Sequence, residues 1–116
     1  HHWFKETLSR MKEEHVPVIV AGHHPFFIQD VEEAEQYSNL PIEKRQELLD
    51  LFAGNNVVAY LSGHRHETLV NSYKNIQLIT GETTSKNFDK RALGFRQWKV
   101  SGDSVAHHFV PLKSSH

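Results

Sequence analysis

Two short histidine clusters close two apolar runs, Val18-Ile19-Val20-Ala21-Gly22-His23-His24-Pro25 and Val57-Val58-Ala59-Tyr60-Leu61-Ser62-Gly63-His64-Arg65-His66. Neutral imidazole is a good donor to transition metals near neutral pH, so repeated histidines at strand ends point to metal chemistry. Each cluster is preceded by a glycine, which permits a sharp turn and a close approach of the backbone to whatever is bound. The same arrangement twice in one chain predicts a metal site at one edge of a sheet.

The elements between the clusters support that placement. Each run has the length of one buried strand, and the stretch between them carries a helical pattern. A strand–helix–strand unit runs parallel with a right-handed crossover, so both carboxyl ends fall at the same sheet edge. Sites in open α/β sheets lie just outside those ends. His23 and His64 are therefore expected to approach each other. His64 and His66 point to one side if the backbone between them is extended.

The two clusters resemble motifs of the calcineurin-like metallophosphoesterase superfamily. Gly22-His23-His24-Pro25-Phe26-Phe27 is similar to that family's Gly-His followed by proline and an aromatic pair, and Gly63-His64-Arg65-His66 matches its Gly-His-x-His. Their order and separation, with a helix between them, also fit. The resemblance implies a two-metal hydrolase of phosphoesters, a phosphatase or phosphodiesterase. His23 and His64 would bind one ion and His66 the other. The ions would be divalent or trivalent: manganese, iron or zinc. His24 is the candidate catalytic residue: it either hydrogen-bonds an incoming phosphate or packs beside the site.

The family's earlier motifs are absent. No Asp-x-His occurs, Gly102-Asp103 is followed by Ser104-Val105-Ala106, and Gly54-Asn55-Asn56 lacks a histidine and stands between the matched motifs. The resemblance thus covers the C-terminal half of a four-layer αββα sandwich, and residues 1–116 are expected to form a partial domain with the N-terminal half absent. The expected partners are a phosphoester substrate and either that missing half or a second copy of the chain. The alternative is a non-catalytic metal-binding or assembly module that oligomerises through an unpaired sheet edge. Three imidazoles suffice for one zinc ion.

Composition narrows the classes further. The 116 residues allow one domain at most, and 38% hydrophobic with 23% charged residues is ordinary for a globular chain. A formal net charge of −1 without a basic run gives no nucleic-acid footprint. No apolar stretch approaches the roughly 20 residues of a membrane span, and nothing reads as a signal peptide. The absence of cysteine excludes disulfides and thiolate ligands.

Along the chain, Trp3, Phe4, Leu8 and Met11 at helical spacing predict an amphipathic helix over Trp3 to Glu14. Val16 to Ala21 reads as a strand covered on both faces. Phe26 to Leu40, with Asp30, Glu32, Glu33 and Glu35, reads as an acidic loop over the site, within which Tyr37 and Asn39 have either ordinary loop roles or contact with substrate. Pro41 suits the first turn of a helix whose inward stripe is Ile42, Arg45, Leu48, Leu49 and Phe52, with Gly54 ending it. Val57 to Leu61 is a second buried strand. Thr68 to Tyr73 with Ile76 to Thr80, and Gly94 to Val100 with Ser104 to Leu112, read as two hairpins, the second turning at Ser101-Gly102-Asp103. Arg65 is read as an exposed turn residue or a phosphate contact. His107 and His108 alternate across a strand, one packed and one exposed.

Overall fold

The computed structural model describes residues 2–82, 86–102 and 104–113; Asp103, expected above in the second hairpin's turn, lies outside them. The chain runs α1 (His2–Glu13), β1 (Val18–Ala21), α2 (Ile42–Ala53), β2 (Val57–Ser62), β3 (Leu69–Tyr73), β4 (Ile76–Thr80), β5 (Gly94–Ser101) and β6 (Ser104–Pro111). β1 to β4 form one sheet in the order β1-β2-β4-β3, and β5 with β6 forms a separate antiparallel pair. β1 and β4 both run parallel to β2, and β3 returns antiparallel to β4. This is the mixed α/β architecture that the motifs imply, with both expected hairpins formed.

Register decides which side chains meet the helices. Val20 pairs with Tyr60, which pairs in turn with Leu78. A shift between Val18 and Ile19 leaves Val18 opposite Val57, so Val57 and Tyr60 share a face although they stand three positions apart. That face packs on Leu8 of α1 and Leu49 and Phe52 of α2, with Phe26, Phe27 and Ile76 completing the cluster. Burying each such side chain contributes roughly 1.5–3 kcal/mol relative to exposure. Gln77, on the opposite face, donates to the Val105 carbonyl of β6 at 2.8 Å. The order of layers is therefore helices, sheet and hairpin, in keeping with part of a layered sandwich.

Some expectations from the sequence change. Trp3 is exposed, leaving Phe4 and Leu8 to face the core. Ile42 is also exposed, and Pro41 stands just outside α2 at φ −53° and ψ 144° rather than within its first turn. β1 is covered on one face only: Val18 and Val20 pack inward, while Ile19 is 37% exposed on the other side. It is an edge strand, and among the described residues no strand pairs with its outer side.

Candidate metal centre

The parallel ladder continues past the strands and carries the histidines together. Gly22 N–H donates to Leu61 at 2.8 Å, Gly63 N–H to the His23 carbonyl at 3.0 Å, and Gly81 N–H to Ser62 at 3.0 Å. With the main chains fixed in this way, His23 Nε2 lies 2.9 Å from His64 Nδ1. His24 joins them: its ring centroid is 4.7 Å from that of His23 and 4.2 Å from that of His64. One nitrogen from each of His23, His24 and His64 lies within 4.8 Å of the others.

This donor set fits a single ion. Metal–nitrogen bonds of about 2.0–2.1 Å in a tetrahedral site hold the nitrogens about 3.3–3.4 Å apart. The His23–His64 pair at 2.9 Å lies slightly inside that spacing, and the three nitrogens, within 4.8 Å of one another, span slightly more than it. Without an ion, two neutral imidazoles at 2.9 Å share one proton, with one ring donating and the other accepting. Partial burial and the neighbouring His24, His23, His66 and Arg65 charges push the His64 pKa below its usual 6.5. His64 is therefore neutral, with a lone pair available, at physiological pH. Among the described residues this trio is the one group of three or more His, Asp or Glu side chains able to surround an ion, and it contains no carboxylate.

His66 is placed differently. The chain from Gly63 to Glu67 is not extended: His64 has φ 73° and His66 φ 55°, both left-handed. Gly63 does not carry the positive φ of this turn; the two histidines do. Such angles cost a non-glycine residue roughly 1–3 kcal/mol and cluster at functional sites. The His66 ring stacks on Phe88 at 4.9 Å, and its Nδ1 lies 2.9 Å from the Lys86 carbonyl. A carbonyl only accepts, so Nδ1 carries a proton, and in the neutral ring the lone pair lies on Nε2. Metal-ligating histidines are oriented by the same kind of bond.

Gly22 has a steric reason for being glycine. A Cβ there would lie 2.2 Å from the Tyr60 hydroxyl oxygen. That hydroxyl donates to the His24 carbonyl at 2.7 Å and fixes the backbone of the first cluster. Burial raises the Tyr60 pKa, so the phenol stays protonated and remains a donor.

The acidic loop is built around two residues whose role the sequence did not disclose. Arg45 is 1% exposed and donates to the carbonyls of Val31 (2.8 Å), Glu33 (2.7 Å) and Leu40 (2.8 and 3.3 Å). The Glu33 carboxylate accepts from the N–H groups of Ile28, Gln29 and Asp30 at 2.7–3.0 Å and from Asn39 Nδ2 at 2.7 Å. Burial would raise its pKa, but those donors outweigh burial and hold it at about 2. The available signal was an arginine on the apolar stripe of α2, since a buried cation requires acceptors. Asn39 is buried as part of this scaffold, while Tyr37 projects to the histidines, its ring centroid 5.1 Å from that of His64 and 6.5 Å from that of His24.

The remaining residues named from sequence serve the fold. Phe26 packs on Tyr60 and Phe52 within the core. Arg65 pairs with Glu67. His107 is half-buried against Trp98 and Arg96, and His108 is exposed. No helix among the described residues is long and apolar enough to cross a membrane.

Comparison with known proteins finds relatives along most of the chain. No family model matches the chain. Over 112 residues it is 29% identical to the serine/threonine-protein phosphatase CPPED1 of Rattus norvegicus, 25% to that of Mus musculus and 27% to that of Homo sapiens. These alignments cover 95–96% of this chain and 36% of each relative. The chain spans about a third of the length of the curated relatives it matches. The proteins it is similar to are named as serine/threonine-protein phosphatases.

Proposed function

We propose that this chain supplies the histidine side of a two-metal phosphoesterase centre of the calcineurin-like kind. The observation that carries the reading is the meeting of His23 and His64, 41 positions apart, at 2.9 Å beyond the ends of two parallel strands. His23 and His64 hold one ion, and His66, with Nε2 left as its donor, serves the second. His24, beside both rings, orients the phosphate. The chemistry supplied by two such ions, whether manganese, iron or zinc, is a lowered pKa for water and neutralisation of charge on the phosphoester oxygens.

Two ions also need an anionic bridge against their mutual repulsion, and the imidazole trio offers none. The carboxylates come from a partner segment, either the missing N-terminal half or a second copy. The chain alone is accordingly expected to hydrolyse aryl phosphate and phosphoserine peptide negligibly with manganese, iron or zinc added. The full-length product of its gene should turn them over, and His64→Ala should abolish this. Robust turnover by the chain alone, lost in His64→Ala, would contradict the division of ligands.

A second reading rests on the grouping of His24 with His23 and His64, which suits a single ion in a non-catalytic module. Metal content separates the two. Two ions per full-length protein, falling to one in His66→Ala, favour the hydrolase; one ion, unaffected by His66→Ala, favours the module.

A further inference from the structure

Tyr37 is 85% exposed, so its ring contributes little to packing, yet it stands 5.1 Å from the His64 ring. The loop around it is fixed on every side. Gln36 N–H donates to Asn39 Oδ1 at 2.8 Å and Asn39 N–H to the Gln36 carbonyl at 3.4 Å, closing a turn with Tyr37 near its tip. Asn39 is itself held by Glu33, and the carbonyls of Val31, Glu33 and Leu40 are held by Arg45. With the backbone held in this way, a ligand that meets the ring has mainly the Tyr37 side-chain rotamers left to order.

We infer that Tyr37 is a substrate-positioning residue of the histidine site, its ring selecting phosphoesters whose alcohol side presents a flat, apolar group. The inference rests on the phosphoester reading above. With phosphate drawn to the imidazoles and their ions, the ester group projects away from them, toward the space that Tyr37 borders. Ring-to-ring contact there adds to the area buried and discriminates between leaving groups without touching the phosphate.

The test is calorimetric binding of inorganic phosphate and phenylphosphonate to the metal-loaded full-length protein. Tyr37→Ala should weaken phenylphosphonate about tenfold, the scale of a lost aromatic contact with its buried area, and leave phosphate affinity and metal content unchanged. Tyr37→Phe, which keeps the ring, should bind both as wild type does. Equal weakening of both ligands by Tyr37→Ala, no effect on either, or loss of phosphate binding in Tyr37→Phe overturns the inference and leaves the phosphoester reading standing. Failure of the loaded wild type to bind either ligand overturns both.

Discussion

The hydroxyl of Tyr60, on β2, donates to the carbonyl of His24, beyond β1, at 2.7 Å. It occupies the space that a side chain at position 22 would need. One strand thereby sets the backbone of the histidines that follow its neighbour, so the two clusters are positioned by each other as well as by the sheet.

Gly22→Ala should therefore destabilise the protein by roughly 1–3 kcal/mol, the usual cost of overpacking, and weaken metal binding. Tyr60→Phe alone should cost about 0.5–1.5 kcal/mol for the lost hydrogen bond. The double variant should be more stable than the sum predicts, because the closest clash is with the deleted oxygen. A denaturant double-mutant cycle measures this, and strict additivity would show that the contact is relieved some other way.

Glu33, with its pKa held down at about 2, makes a pH-dependent contribution of definite sign. A depressed carboxyl pKa contributes stability above the unfolded value of about 4.5 and loses it as pH falls toward 2. Glu33→Gln should cost roughly 1–2 kcal/mol at pH 7, allowing for solvent screening of a part-exposed group. Urea midpoints of the two proteins should converge as pH approaches 2. A constant gap would mean that the carboxylate's charge is irrelevant.

Arg45→Met leaves the carbonyls of Val31, Glu33 and Leu40 without the donor they share. We expect a loss of roughly 3–5 kcal/mol, as when one partner of a buried polar network is removed, together with faster proteolysis between Phe26 and Leu40. Arg45→Lys should rescue little, since one ammonium cannot reproduce the guanidinium fork. Full rescue by lysine would show that charge alone suffices.

The outer side of β1, beside the part-exposed Ile19, pairs with no strand among the described residues. At micromolar concentration the isolated chain is expected to sediment as a dimer or larger species, and Ile19→Lys should shift it toward monomer by placing charge on an edge strand. A well-folded wild-type monomer with cooperative unfolding would indicate that the edge is protected.

Strand ends and their order were legible in the sequence because a period of two, a period near 3.6 and the turn residues are local. The β1–α2–β2 crossover then left little choice about where His23 and His64 lie. Local signals could not say that β1 would be an edge, since an apolar run reads the same whether one face is covered or two. They also could not give the conformation of Gly63 to Glu67. Glycine was the natural site for a left-handed angle, but the main-chain bond from Gly63 to the His23 carbonyl accompanies left-handed angles at His64 and His66, which part the second ring from the first. The acidic loop reads as solvated polar sequence until buried Arg45 is set beneath it. Its hydrogen bonds to Arg45 span up to 14 positions and the one to Asn71 spans 43, and such pairings exist only once α2 and the sheet have packed together. The sequence by itself thus determined which strand ends carry histidines and the sheet edge at which those ends lie. Tertiary packing decided which rings share that edge, because ring directions follow from long-range contacts that no local pattern encodes.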